Sequence, residues 1–147
     1  MVNRFQRFSY AISELSRCWH KIAAQEMEHY GLKGPHCIYL LTLYRHPEGI
    51  TAAKLGSLCG KDKADVSRMM AIMEEKALIS KTGNAYRAVL TLTDAGKAAA
   101  EHVQKRAATA VELGGSGMNA DAREQFYETL ELVVTNLQAI SEEGLPH

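Results

Sequence analysis

Residues 55–68 read Leu55-Gly56-Ser57-Leu58-Cys59-Gly60-Lys61-Asp62-Lys63-Ala64-Asp65-Val66-Ser67-Arg68. Thr51, just ahead, is a good N-cap for a short helix holding Ala52, Leu55 and Leu58. Cys59-Gly60-Lys61 makes a tight turn, and Asp62 caps a second helix. Asp65 places charge in its first turn, where the helix dipole favours an anion. On this second helix Val66, Met69, Met70 and Met73 take inward positions, and Lys63, Ala64, Asp65, Ser67 and Arg68 form the outward set. After Ala77 the pattern changes to short β-rich runs, residues 78–81 and 86–92, around Thr82-Gly83-Asn84-Ala85. That predicts a hairpin with a Gly-Asn turn.

A short helix, a three-residue turn, a second helix and a hairpin form a helix-turn-helix followed by a wing. Such a unit presents its second helix to the major groove of DNA, whose width admits an α-helix. Small residues let the backbone approach, Ser67 can bond a phosphate or a base, and Arg68 can fork onto guanine or a phosphate. Residues 54–87 carry seven basic and four acidic side chains, a modest excess for a DNA binder. Lys63 and Arg68 taken alone would read as a solvated helix face. The hairpin directly behind them favours the DNA reading, because a bare surface helix has no need of it.

Outward from this centre, helical signals continue in both directions. Residues 3–30 contain neither Pro nor Gly, and Phe5, Phe8, Ile12, Leu15, Trp19 and Ile22 step by three and four, a helical stripe. A further helix has Pro35 near its first turn and Ile38, Leu41 and Tyr44 on one face. Thr93-Asp94 restarts helix to about Leu113, Gly114-Gly115-Ser116-Gly117 breaks it, and Asn119 or Asp121 opens a last helix with Phe126, Leu130, Val133, Leu137 and Ile140. Six helices and one hairpin are expected.

The 147 residues, 46% of them hydrophobic, suffice for one domain with a real core. The formal charge of zero conceals a split. Residues 1–111 hold 16 Lys/Arg and 10 Asp/Glu, and residues 112–147 hold 1 and 7. One part is suited to a polyanion and the other is not. No apolar run reaches the ~18–20 residues of a membrane span, and the start has no apolar run of a secretory signal. Three cysteines make no disulfide framework, so a cytoplasmic location is expected. Glycine loops for phosphates, nucleophile elbows and His-x-x-x-His pairs are absent from the sequence, which argues against an enzyme.

The run at 55–68, together with Met73-Glu74-Glu75-Lys76-Ala77-Leu78-Ile79 and Leu90-Thr91-Leu92-Thr93-Asp94-Ala95-Gly96, resembles the MarR family of bacterial winged helix-turn-helix regulators. Asp-Lys-x-x-Val-Ser-Arg and Leu-Thr-x-x-Gly are its specific parts, and the terminal helices extend the resemblance over essentially the whole chain. It implies a mainly α, winged helix-turn-helix fold with long N- and C-terminal dimerisation helices and a two-stranded β wing. The single domain of residues 1–147 would divide into a DNA-binding part, about 34–93, and helical dimerisation parts, about 1–30 and 94–143. It also implies a homodimer on a pseudo-palindromic site in double-stranded DNA, with repression the family's commoner mode. The apolar stripes of residues 5–22 and 126–140, too apolar to leave exposed, agree with dimerisation. The alternative is that they pack on each other within one chain.

The residues assigned to DNA are Thr51, Lys54, Lys61, Lys63, Ala64, Asp65, Ser67, Arg68, Lys81, Asn84 and Arg87. Where many relatives carry Asp-x-Arg at the wing, this chain has Asn84-Ala85-Tyr86, and the nearest arginine is Arg87, expected on the returning strand. Lys61 stands where the family often has an apolar residue. Relatives admit aromatic anions between dimerisation helices and winged domain, which makes Trp19, His20, His36, Tyr39 and Tyr44 candidate linings for a small aromatic or anionic effector. Each of these residues reads equally well as ordinary packing. Two other functions compete: a winged-helix protein–protein adaptor without DNA affinity, and a thiol-based redox regulator acting through Cys18. Cys18-Trp19-His20 and His36-Cys37 lack the recurring spacing of a metal motif, so neither metal nor cofactor is expected.

Overall fold

The computed structural model describes residues 3–84 and 87–147. The chain forms two compact units, Met1–Ala108 and Thr109–His147. The first holds α1 (Arg4–Met27), a 3-10 turn (Glu28–Tyr30), α2 (His36–Tyr44), β1 (Ile50–Thr51), α3 (Ala52–Cys59), α4 (Lys63–Glu75), β2 (Ile79–Thr82) and β3 (Val89–Leu92). Helix α5 (Asp94–Gly114) begins in the first unit and ends in the second, which is otherwise α6 (Ala120–Glu143) and its turn. Six helices and a wing agree with the sequence reading.

Local side-chain chemistry starts the helices where it was expected to. Asn3 and Gln6 form a reciprocal capping box on α1. Thr51 Oγ1 accepts from Lys54 N at 3.2 Å, Asp62 Oδ1 from Asp65 N at 2.8 Å, and Asn119 Oδ1 from Ala122 N at 2.8 Å, opening α3, α4 and α6. Helix α4 ends in a Schellman motif: Leu78 N donates to Met73 O and Ala77 N to Glu74 O, both at 2.9 Å. Ala77 carries the left-handed conformation of that motif, φ 59°, a position that glycine usually fills.

The sheet is antiparallel, in the order β1-β3-β2, with Ile79 opposite Leu92 and Thr82 opposite Val89. Strand β1, two residues long, adds Ile50 opposite Leu90 and was not foreseen, being too short to show a period. The wing differs from expectation in one respect. Its second strand starts at Val89, so Arg87 lies in the connection, donating its N–H to Asn84 O at 2.9 Å rather than to the ladder. Ala85 and Tyr86, the rest of the anticipated Gly-Asn turn and strand start, lie outside the described residues.

The core of the first unit is built by α2, α3, α4, the sheet and the start of α5. Tyr39, Leu40, Leu55, Val66, Met70, Met73 and Leu90 are fully or nearly fully buried there. Leu58 of α3 and Ile38 of α2 are about half exposed. Gly96 locks α5 onto the base of the wing. A Cβ at that position would stand 2.1 Å from Leu78 O, the carbonyl that also accepts from Thr93 N at 3.0 Å. Thr93 Oγ1 completes the joint by donating to Ala77 O at 2.7 Å and accepting from Gly96 N at 3.1 Å. The Leu-Thr-x-x-Gly run is therefore a backbone junction between wing and helix.

In the second unit Arg123, the only cation of residues 112–147, bonds Glu112 Oε2 at 2.6 Å and Gly115 O at 3.1 Å, bracing the α5–α6 turn. Two apolar stripes stay exposed in the chain. On α1 they are Phe5, Phe8, Ile12, Leu15 and Trp19, with Ile22 half-buried, and on α6 Phe126, Leu130 and Leu137, with Val133 and Ile140 half-buried.

Candidate nucleic-acid interface

The helix-turn-helix is held by close backbone approach at its turn. Gly60 closes α3 in the left-handed conformation, φ 65°. Lys61 N donates to Gly56 O at 2.9 Å, and a Cβ on Gly56 would press on Lys61 O at 3.0 Å and Val66 Cγ2 at 3.1 Å. Cys59 fills space beneath, its Sγ donating to Thr42 Oγ1 at 3.5 Å. From this turn α4 buries Val66, Met70 and Met73 and leaves Lys63, Ala64, Ser67 and Arg68 exposed.

Asp65 departs from the outward set. Its Oδ2 accepts from the hydroxyl of Tyr39, and its Oδ1 from Arg68 Nη2 at 3.4 Å. The Tyr39 bond leads in holding this carboxyl below the usual carboxylate range, with Arg68 adding to it. Burial, then the Asp65 bond, pushes the Tyr39 phenol well above its ordinary value. The Arg68 side chain is 71% exposed, with one terminal guanidinium nitrogen leaning on Asp65.

Of the other residues assigned to DNA, Lys54, Lys61, Lys81, Asn84 and Arg87 are exposed. Thr51 is half-buried, with its hydroxyl oxygen engaged as the α3 cap.

The five residues nominated for an effector do not converge. Trp19 and His20 are exposed on α1. His36 is buried, its Nδ1 accepting from Lys33 N at 2.9 Å, and burial leads in lowering its pKa. Tyr39 is a core residue, occupied by Asp65. Only Tyr44 lines a cleft, an open one of about 400 Å³ with Leu43, Pro47, Leu92, Lys97 and Glu101. There Tyr44 donates to Glu101 Oε1 at 3.1 Å. Lys97 and Glu101, absent from the sequence reading, sit one helical turn apart on α5, a spacing that carries no ligand signal until α2 is seen opposite.

The cysteines follow suit. Cys18 is exposed with Arg17 Nη2 3.7 Å from its sulfur. Cys37 is half-buried, and burial pushes its thiol pKa up, away from reactivity.

The fold has many counterparts. A family model for the MarR family matches residues 30–87, from the end of the 3-10 turn to Arg87 of the wing. Over those residues the chain is similar to the MarR family, and its fold is a winged helix. Solved structures match over nearly the whole chain. A MarR transcriptional regulator from Methanosarcina mazei Go1 has 22% identity and a TM-score of 0.81, covering 95% of this chain and 94% of that one. MepR of Staphylococcus aureus in its complex with DNA has 22% identity and 0.76, covering 92% and 99%. The transcriptional regulator SlyA has 19% identity and 0.77, covering 92% and 96%. No curated protein matches in sequence. The matched residues include α4, in which one face supports the core and the opposite face carries short and cationic side chains. No helix is long and apolar enough to cross a membrane, among the described residues.

Proposed function

We propose that the chain is a sequence-specific transcription regulator that binds a pseudo-palindromic operator in double-stranded DNA as a homodimer, acts as a repressor in the cytoplasm, and is no enzyme. The observation that carries this reading is the outward face of α4: Ala64 and Ser67 are short, Lys63 and Arg68 are cationic, and all four are exposed. A major groove demands that combination, close approach together with hydrogen-bond donors for base edges and phosphates. Lys54 and Lys61 flank the helix, and Lys81, Asn84 and Arg87 on the wing would meet the backbone or adjacent minor groove. Thr51 is left to its cap. Asp65 works indirectly, by orienting the guanidinium of Arg68. The similarity to MepR, whose structure is a complex with DNA, supports this reading.

Residues of about 1–30 and 94–143 supply the dimer. The exposed stripes on α1 and α6 support this, since stripes of this length ask for a partner surface. The acidic 112–147 segment would lie away from the DNA. A small aromatic or anionic effector would enter the Tyr44 cleft, with Lys97 as its counter-charge, and change the spacing of the two recognition helices.

Selection of bound sequences from random duplex DNA tests the reading, followed by a salt titration on the winner. A two-fold symmetric consensus is expected, with affinity falling steeply as salt rises. Recovery of no consensus, with salt-independent or absent binding, would leave the adaptor reading in its place.

A further inference from the structure

At the end of α1, Glu26 turns its carboxylate toward α5. Oε1 receives Arg106 Nε at 3.1 Å. Oε2 is buried and accepts no well-formed hydrogen bond, yet it faces two imidazoles, with His102 Nε2 at 3.4 Å and His29 Nε2 at 4.0 Å. The three ligand atoms lie within 4.8 Å of one another. A buried acceptor without a well-formed hydrogen bond is costly, and a cation shared with the two ring nitrogens that face it would satisfy it.

We propose that Glu26, His29 and His102 form a site for a borderline divalent cation of the Zn²⁺ class. Bonds of about 2.0–2.2 Å to nitrogen and oxygen around a tetrahedral ion place ligand atoms roughly 3.3 Å apart, near the His102–Glu26 separation. The His29 side chain is 65% exposed and free to swing the remaining distance. Two imidazoles and one carboxylate suit Zn²⁺, Co²⁺ or Ni²⁺ rather than Ca²⁺ or Mg²⁺, which prefer all-oxygen cages. Arg106 fixes the carboxylate from its far side, leaving Oε2 as a single-oxygen ligand and water as the fourth. Tyr30 meets the His102 ring edge-on, with centroids 6.1 Å apart, and steadies its plane. The positive charge of Arg106 makes the affinity modest. The ion would clamp the end of α1 to α5, the helix that Gly96 joins to the wing. This site stands independently of the DNA-binding reading.

The test uses the untagged full-length chain, stripped with chelator and titrated with Co²⁺. One ion per chain is expected, with visible d–d absorption, no thiolate charge-transfer band, displacement by Zn²⁺, and a higher Tm with Zn²⁺ present. His102→Ala and, separately, His29→Gln should each weaken binding by about tenfold or more. His147→Ala should leave it unchanged. Both site histidines are substantially exposed, so the variants keep the fold, which circular dichroism confirms. Absence of binding, a thiolate band, or affinity unchanged in both site variants overturns the proposal.

Discussion

The hydroxyl of Tyr39 on α2 donates to the carboxylate of Asp65 on α4, and the same carboxylate tethers Arg68. A core side chain thereby sets the position of an exposed guanidinium on the candidate reading face. Tyr39→Phe keeps the ring and removes the bond, so it should lower stability without unfolding the chain. The pH dependence has a definite sign. Asp65 has a folded pKa below its unfolded one, so its contribution is present above the ordinary carboxylate value of about 3.9 and is lost as pH falls through the lower folded value. Urea midpoints of wild type and Tyr39→Phe should differ at neutral pH and converge in acid. A constant gap down to pH values below both would refute the linkage.

Gly96→Ala forces a Cβ into Leu78 O, a backbone atom that cannot step aside. A cost of more than about 2 kcal/mol is expected, at or above the usual range for overpacking. Gly114→Ala is the control, because nothing lies within 4 Å of its added Cβ. It should change stability by less than about 1 kcal/mol, in the favourable direction given alanine's helix propensity. Denaturant unfolding of both variants measures the contrast.

Ala77 presents the opposite case, a side chain where the backbone favours none. Its φ of 59° sits at the C′ position of a Schellman motif. Ala77→Gly should stabilise by roughly 0.5–1 kcal/mol, the left-handed penalty relieved less the entropy that glycine adds to the unfolded chain. A destabilised Ala77→Gly would mean that the strain is absorbed elsewhere.

What the sequence made legible was mostly local. Thr51, Asp62 and Asn119 cap helices through bonds to backbone three residues on, a relationship carried entirely by short-range spacing. The two faces of α4 were legible for the same reason, its period separating Val66, Met70 and Met73 from Lys63, Ser67 and Arg68. Relationships across the fold were hidden. Tyr39 looked like a ligand-pocket aromatic because nothing near it in sequence announces Asp65. Glu26 and His102 were no cluster until α1 met α5. Arg87 was put on a strand because Tyr86 and Val89 share a β-rich run, while the hydrogen bond to Asn84 places it in the turn.

The apolar stripes make a prediction about assembly. Phe8 and Leu130 are 44% and 41% exposed in the chain, so a charge at either site is tolerated by the isolated fold. At a dimer interface it would be an unpaired buried carboxylate, which is costly. Phe8→Asp and Leu130→Asp should each keep their helicity and sediment as monomers at micromolar concentration, where wild type is expected to sediment as a dimer. A wild-type monomer, or variants that remain dimeric, would remove the chain ends from the interface.

The division of work between Arg68 and Arg87 gives the sharpest test of how DNA is read. Arg68 projects from α4 one residue beyond Ser67, with one guanidinium nitrogen against Asp65 and 71% of its side chain exposed. It can reach a base edge or the flanking phosphate. Arg87 sits in the wing connection, where its backbone N–H is committed to Asn84 and its side chain is exposed. A base contact carries about 1–3 kcal/mol of discrimination, whereas a phosphate contact weakens binding on all sequences and lowers the salt slope by about one. Arg68→Ala should therefore reduce affinity for the selected operator by about tenfold or more and flatten the preference for it over random duplex. Arg87→Ala should weaken binding to both duplexes by a similar factor and lower the salt slope, leaving preference intact unless the wing reads a narrow minor groove. Both variants should fold, because neither side chain belongs to the core. Fluorescence anisotropy on operator and scrambled duplexes at several salt concentrations separates the two effects. If both variants keep full affinity for the operator at physiological salt, α4 and the wing are not the reading surface, and the winged helix serves a protein partner instead.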